Sequence, residues 1–191
     1  MSAHLTAYWN HLRRPITNAA TARDPVTGED LERTRVNLGR ARVRGVEARL
    51  EYQLTPSWSI VTDYLYSEAR VLGNHADPEL EGKRLTQVPW FSGTVGLRYQ
   101  GPSGLGFLVQ GRFEGKKFED EDNRDTLGGY YVIDSVLSWP LPSHWLSSSL
   151  QRQIFLAAQN ILDRDYIVDR GGGIFKLGTP LLAHGGLQLE F

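Results

Sequence analysis

Side chains that could bind a metal ion are densest between residues 119 and 125, where the sequence reads EDEDNRD. Carboxylates at this spacing suit a hard divalent cation, but the segment lacks the sixth-position glycine and the closing glutamate of an EF-hand loop. The five histidines show no metal-ligand spacing, and the chain has no cysteine. We therefore predict a solvated acidic loop, without a metal or cofactor. Weak cation binding by this loop is the alternative.

Two further features resemble parts of catalytic or phosphate-binding sites. Asn160, Asp163 and Tyr166 form a polar cluster, but Asn and Asp side chains commonly bond nearby backbone where a strand passes into a loop. The triple glycine at 171–173 lacks the Lys-Ser/Thr pair and the helix that follow a phosphate-binding loop. Neither a G-x-S-x-G segment nor a paired Ser, His and Asp signal is present. The sequence predicts structural roles for these residues and no enzymatic activity.

The segments that must position these side chains alternate between apolar and polar residues, which is the period of a β-strand with one apolar and one polar face. Val46, Leu50 and Tyr52, for example, alternate with Glu47 and Arg49. We predict eight strands, at 3–10, 40–54, 57–71, 89–100, 105–117, 129–139, 151–160 and 179–191. Several reach the roughly 9–11 residues with which a tilted strand crosses a bilayer.

The connections between these strands alternate in length. The short connections lie at 55–56, 101–104 and 140–150. The long, polar connections lie at 11–39, 72–88, 118–128 and 161–178. Short turns at one end and long loops at the other are typical of outer-membrane barrels. Aromatic residues fall at both ends of the strands, as in an interfacial girdle: Tyr52, Trp58, Tyr99, Trp139 and Phe191 on the short-turn side, and Trp90, Phe113 and Tyr131 on the long-loop side.

The overall composition excludes several classes of protein. No run of 18 apolar residues occurs, which excludes a transmembrane helix but not a membrane barrel. The 21 basic residues are balanced by 22 acidic ones, so the basic excess of a nucleic-acid binder is missing. A soluble β-sandwich would also alternate, but its strands are shorter and its loops less segregated by length. On the polar face we expect cross-strand ion pairs among Glu47, Arg49, Glu51, Arg98, Arg112 and Glu114.

Four motifs occur in an order that resembles the C-terminal part of TonB-dependent receptor barrels. Asn37-Leu38-Gly39 followed by Arg44-Gly45-Val46-Glu47 is similar to the family's N-x-G and x-G-V-E strand. The segment GKRLTQVP at 82–89 is similar to its loop-to-strand entry, NILDRDY at 160–166 to its motif after the penultimate strand, and the chain ends on Phe191. The motif residues to which the resemblance gives structural roles are Gly45, Val46, Glu47, Asn160, Asp163 and Tyr166.

The resemblance implies an all-β fold: an antiparallel, up-and-down transmembrane β-barrel segment of about eight strands from a larger barrel of the 22-strand type. The family's plug domain and TonB box have no counterpart in the sequence, and the first residues do not form a signal peptide. We therefore expect residues 1–191 to be a partial barrel domain, the C-terminal part, located in the bacterial outer membrane. The plug and the N-terminal part of the barrel would be missing.

The resemblance also implies a function, namely TonB-dependent uptake of an iron-siderophore complex or a similar large nutrient. The implied partners are outer-membrane lipid, the barrel assembly machinery, the missing plug, TonB only through that plug, and the ferric chelate; no nucleic acid is expected. Candidate ligand contacts are cations in the long loops, Arg84, Arg124, Arg170 and Lys176. The alternative is a complete small eight-stranded barrel with a structural or adhesive role. A third hypothesis, an outer-membrane enzyme, is not supported, because the sequence contains no recognisable catalytic triad.

The end of the chain carries a possible assembly signal. Leu187, Leu189 and Phe191 alternate with polar residues, and outer-membrane barrels resemble one another in ending on an aromatic residue after such a pattern. Strand addition by the assembly machinery would read backbone bonds for affinity and alternate side chains for specificity. The alternative is that Phe191 serves only as a girdle residue at the membrane interface.

Overall fold

The computed structural model describes residues 1–24, 26, 30–37, 39–74, 77–141, 151–171 and 174–190. Its strands are β1 (Ser2–Arg13), β2 (Ile16–Arg23), β3 (Asp30–Asn37), β4 (Arg40–Gln53), β5 (Trp58–Gly73), β6 (Phe91–Gln100), β7 (Gly106–Glu114), β8 (Lys117–Phe118), β9 (Thr126–Leu127), β10 (Tyr130–Pro140), β11 (Gln151–Gln159), β12 (Ile167–Gly171), β13 (Ile174–Leu177) and β14 (Leu182–Glu190). The helical content of these ranges is one 3-10 turn, Pro78–Leu80. No helix in the described ranges is long and apolar enough to cross a membrane.

Eight strands form one antiparallel sheet in the order β1-β4-β5-β6-β7-β10-β11-β14. This confirms the predicted meander of eight strands, since each predicted strand pairs with its predicted sequence neighbour. Within the described residues β1 and β14 are the two edges and do not pair with each other. A complete eight-stranded barrel would need that pairing to satisfy its edge groups, so the sheet does not support the small-barrel alternative.

Three predicted strand ends differ from the structure by three residues. The first strand, predicted to end at residue 10, continues to Arg13. The strand predicted at 105–117 ends at Glu114, and β8 begins only at Lys117. Between them the Phe91 ring lies so close to Gly115 that a Cβ there would be 2.9 Å from it. The last strand begins at Leu182 rather than at 179, because Pro180 has no N–H to donate to a ladder. Phe191 lies outside the described residues.

The prediction that the long connections are loops without strands was wrong in three places. β2 pairs with β3, β8 with β9 and β12 with β13, each as a separate two-stranded sheet. The sequences of β2 and β3, ITNAATAR and DLERTRVN, show no strict alternation. β8 and β9 have two residues each, which is too short for any period to be read.

The register gives the main sheet two chemically different faces, because directly opposed residues share a face. The apolar face carries Val46, Tyr66, Phe91, Val95 and Leu137. The polar face carries Glu47, Arg49, Asp63, Arg98 and Asp134. On the apolar face Leu156 is 56% exposed to solvent. A continuous exposed apolar surface is unusual for a soluble monomer and is expected of a surface that faces lipid.

Aromatic pairs mark both ends of the apolar face. Trp58 and Tyr99 pack against each other at the short-turn end, with ring centroids 4.9 Å apart. Phe91 and Phe113 approach to 6.3 Å at the long-loop end. The small buried core lies at this second end, where Val71 and Leu80 pack with Leu85 beneath the loops. The long-loop end of the sheet is therefore stabilised both by an aromatic pair and by a small buried core.

Candidate functional site: the joined long loops

The loops at 74–90 and 115–129 are joined by one asparagine. The backbone N–H of Arg84 donates to Asn123 Oδ1 at 2.7 Å, and Asn123 Nδ2 donates back to the Arg84 carbonyl at 3.0 Å. Asn123 adopts φ 60°, a left-handed conformation that asparagine tolerates better than most residues. Beside it, Lys83 Nζ donates to the Asp122 carbonyl at 2.9 Å. The two loops therefore form one unit.

A third loop, which contains β12 and β13, is tied to the same unit. Gln87 Nε2 donates to Glu119 Oε2 at 2.8 Å and lies 3.3 Å from the Arg170 carbonyl. Lys117 Nζ donates to the Val168 carbonyl at 2.6 Å. Burial raises the pKa of the Glu119 carboxyl above its usual range, and the bond from Gln87 opposes that shift. Three long loops therefore meet at one end of the sheet.

The four cations predicted as ligand contacts occupy different environments in this unit. Arg84 is buried, 8% exposed, and Nη2 donates to the Ser67 carbonyl at 2.7 Å. Arg170 is half-buried, pairs with Asp125 at 3.6 Å and stacks on Phe175. Arg124 and Lys176 are exposed. The geometry thus assigns Arg84 to holding the loops and leaves the other three near the surface.

The acidic segment at 119–125 folds on itself. Asp120 accepts hydrogen bonds from the backbone N–H of Arg124 and of Asp125, at 3.2 and 2.7 Å. The carboxylate therefore caps its own turn. In the described parts of the chain, no group of three or more His, Asp or Glu side chains is arranged to hold a metal ion.

Asn160 connects the base of the third loop to the sheet. Its side chain is fully buried; Nδ2 donates to the carbonyls of Arg164 and Thr179 at 2.8 and 3.0 Å, while Oδ1 accepts from the Arg164 N–H. The Asn160 N–H donates to Asp134 Oδ1 at 2.9 Å, and Asp163 Oδ1 accepts from the Leu181 N–H. These side chains thus bond neighbouring backbone and are not arranged around a substrate.

A comparison with known protein families identifies the family to which this chain belongs. The family model for the β-barrel of TonB-dependent receptor-like proteins matches residues 1–161. The chain belongs to the TonB-dependent receptor family. It is therefore part of an outer-membrane receptor barrel rather than of an enzyme, as the sequence motifs predicted.

Individual relatives within the TonB-dependent receptor family are distant. The ferrichrome outer membrane transporter/phage receptor of Escherichia coli K12 is 29% identical over 133 residues, 68% of this chain and 17% of the relative. The ferric preacinetobactin receptor of Acinetobacter baumannii superposes with a TM-score of 0.70 at 13% identity, covering 98% of this chain and 26% of that one. The ferric-catecholate import receptor of E. coli K12 gives 0.64 at 19%, covering 98% and 24%. The chain spans about a sixth to a quarter of these proteins.

Two glycines of this TonB-dependent receptor segment are fixed by aromatic rings. Gly45 lies beneath the Tyr8 ring, and a Cβ there would collide with the Tyr8 hydroxyl and the Tyr66 carbonyl. Gly178 lies against the Tyr166 ring, and its N–H donates to the Tyr166 carbonyl at 2.8 Å. Close packing therefore explains why the x-G-V-E motif has a glycine at this position and what the tyrosine of the NILDRDY motif contacts.

The polar face carries ion pairs between strands. Arg49 Nε lies 2.9 Å from Asp63 Oδ1, and Arg112 Nε contacts Asp134 Oδ2. Arg98 lies 3.5 Å from Glu51, and Glu114 pairs with Lys117 rather than across strands. Val46 lies on the opposite, apolar face, paired with Tyr66. Glu47, on the polar face, lines an open groove with Arg49 and Asp63.

At the end of the chain, Leu187 and Leu189 lie on the apolar face opposite Ile154 and Arg152. Both leucines are exposed, and their part in an assembly signal stays a prediction. Sequence reasoning did not find Lys83, Gln87, Lys117 and Asn123 as the residues that join the loops. No local pattern marks them, because their partners lie 32 to 83 residues away.

Proposed function

We propose that this chain is a segment of a receptor that takes up a ferric chelate, or a similarly large nutrient, by the TonB-dependent route. The observation that carries the proposal is the unit of three joined loops at one end of a receptor-family sheet. Loops tied to one another present a preformed surface, which lowers the entropic cost of binding a large ligand. The relatives are named for ferrichrome, ferric preacinetobactin and ferric catecholates.

Within this unit, the proposed ligand contacts are Arg124, Arg170 and Lys176. Their positive charge suits an anionic chelate. Arg84 is left out because its guanidinium is buried and bonded to Ser67. Energy for release would come from TonB acting on the plug domain of the receptor, and insertion would use the barrel assembly machinery.

The experiment is uptake and binding by the intact receptor that carries this chain. Arg124→Glu with Lys176→Glu should raise the concentration of a ferric catecholate needed for half-maximal binding by about tenfold, equivalent to 1.4 kcal/mol. Arg98→Gln, which removes a cation from the polar face near the short turns, is the control. Unchanged binding of every ferric chelate tested, including ferrichrome, would contradict the proposal.

A further inference from the structure

A buried carboxylate joins the third loop to the other two. Glu119 directly follows β8 and is 4% exposed. Its Oε2 accepts from Gln87 Nε2 at 2.8 Å, and the same Gln87 nitrogen lies 3.3 Å from the Arg170 carbonyl on β12. The backbone N–H of Arg170 also stabilises the carboxylate. Glu119 therefore lies where the loop at 74–90, the loop at 115–129 and the third loop meet.

The loops at 74–90 and 115–129 are also joined by bonds that do not depend on the charge of Glu119. The Gln87 N–H donates to the Phe118 carbonyl at 2.9 Å. The exchange between Arg84 and Asn123 consists of backbone groups and one amide side chain. None of these bonding groups titrates near neutral pH. A change in the charge of Glu119 therefore acts chiefly on its contact with the third loop.

Charged groups of both signs act on Glu119. Asp169 on β12 carries the like charge, so joining the loops brings two carboxylates near each other. Lys117 carries the opposite charge, but its Nζ also pairs with Glu114 at 2.9 Å. The contact with the third loop therefore places two carboxylates against a cation that a third carboxylate shares.

Two further contacts of Glu119 add no net charge. The loop at 74–90 contributes the uncharged amide of Gln87. β12 contributes the backbone of Arg170, whose guanidinium pairs with Asp125 at 3.6 Å. Among the described residues, the charge at this contact is therefore set by Glu119 itself and by the acidic and basic groups beside it.

The position of Glu119 changes the affinity of its carboxyl group for a proton. Burial, and then the charge of Asp169, raise the pKa of the Glu119 carboxyl above its ordinary value of 4.5, while Gln87, Lys117 and the Arg170 N–H oppose the shift. Separation of the loops would return this carboxyl to water and to its ordinary pKa. The joined loops therefore bind the proton more tightly than the separated loops do.

Linkage between protonation and joining gives the direction of the pH dependence. A group that binds its proton more tightly in one state favours that state at low pH. The contribution of Glu119 to joining is therefore fully present below pH 4.5, the ordinary pKa of its carboxyl. It is lost as the pH rises through the raised pKa of the joined state.

We propose that Glu119 is a pH-dependent latch: when protonated it holds the third loop against the loops at 74–90 and 115–129, and its ionisation loosens that contact. Those two loops stay joined, because the bonds of Asn123 do not titrate. Opening of the third loop moves Arg170 away from Asp125, so the surface that the loops present changes with the pH of the medium. The inference goes beyond the proposed function and does not depend on which nutrient the receptor takes up.

The test measures distances between spin labels on the intact, detergent-solubilised receptor without nutrient, from pH 4.5 upwards. Labels at the exposed positions of Arg124→Cys and Ile174→Cys report on the third loop. Because one proton is linked to joining, the ratio of joined to separated molecules should fall by up to about tenfold per pH unit. Labels at Arg124→Cys and Glu79→Cys, across the loops that Asn123 joins, should keep one distance.

Three variants, carried on the first label pair, identify the group that titrates. Glu119→Gln keeps the shape of the side chain without its charge, so the ratio should become independent of pH. Asp169→Asn removes the like charge from an exposed site and should shift the transition to lower pH, which also covers the case in which Glu119→Gln does not fold. Glu79→Gln removes an exposed carboxylate from the loop at 74–90 and is the matched control.

Four results would overturn the inference: a joined distance that is constant with pH in the unmodified loops, joining that strengthens as the pH rises, an unaltered transition in Glu119→Gln, or an unaltered transition in Asp169→Asn. Ferric-chelate binding is measured on the same preparations. A loop distance that titrates without chelate binding would contradict the proposed function only, whereas chelate binding with a constant loop distance would contradict only the latch.

Discussion

Arg84 and Asn123 exchange two hydrogen bonds, from N–H to Oδ1 and from Nδ2 to the carbonyl, across 39 residues of sequence. The asparagine side chain thereby makes the two hydrogen bonds to the Arg84 backbone that a neighbouring strand would otherwise make. Because the same segment bridges to Arg70 on β5, this pair links the loop unit to the sheet.

Asn123→Gly should loosen the loop junction while keeping the positive φ that glycine tolerates. Loss of both bonds leaves the Arg84 backbone unsatisfied, at a cost of about 1–3 kcal/mol. Hydrogen exchange of the Arg84 amide should accelerate, while amides in β7 stay protected. Arg124→Gly, the neighbouring exposed position, is the control. Equal exchange in the two variants would show that the pair does not hold the loops.

Asn160→Asp should destabilise the base of the third loop. The substitution keeps an acceptor for the Arg164 N–H but removes both donors, to Arg164 and Thr179, and it buries a charge beside Asp134. We expect a loss of about 2–4 kcal/mol in the free energy of unfolding, measured by urea titration of the receptor in detergent. The exposed Asn37→Asp should change it by less than about 0.5 kcal/mol. Similar values for both would refute the structural role of Asn160.

Gly45→Ala should impair folding of the sheet, because the added methyl group meets the Tyr8 ring and the Tyr66 backbone. Overpacking of this kind costs about 1–3 kcal/mol. Gly111→Ala on β7 is the control, since its nearest neighbour would be Val95 O at 3.8 Å, an ordinary contact. The readout is the amount of receptor assembled in the outer membrane. Adding Tyr8→Ala should recover only part of the loss, because the Tyr66 carbonyl remains; full recovery would contradict the backbone clash.

The chain expressed alone should aggregate and should transport nothing. β1 and β14 are sheet edges with unpaired N–H and C=O groups in the described structure, and such edges cost several kcal/mol per group in a bilayer. Size-exclusion chromatography in detergent and heat-modified gel mobility measure the outcome. A heat-resistant monomeric barrel would refute this prediction and favour the complete small barrel.

Phe191→Ser in the intact receptor should lower outer-membrane assembly far more than Trp139→Ser. Both aromatic residues are predicted at the short-turn interface, but only Phe191 ends the pattern set by Leu187 and Leu189. If strand addition reads that pattern, its last position contributes recognition beyond membrane anchoring. Assembled receptor is quantified in outer-membrane fractions. Equal losses would mean that Phe191 is a girdle residue alone.

The sequence by itself determined the eight main strands, their order and the side of the long loops. Alternation is a local property, because in a run such as Val46 to Tyr52 it is visible without reference to any other part of the chain. Each short turn makes the next strand run in the opposite direction. The predicted boundaries were wrong at two local exceptions, Gly115 and Pro180, and at the end of β1, which continues to Arg13.

The tertiary structure alone decided how the loops meet and where their cations point. Gln87 reaches Arg170 across 83 residues, and no period in the sequence encodes such a contact. Arg84 and Arg124 look alike in the sequence, yet Arg84 is buried and Arg124 is exposed. Their difference arises from register, because the bridge to Arg70 fixes the face that Arg84 shares, and register depends on pairing between distant segments.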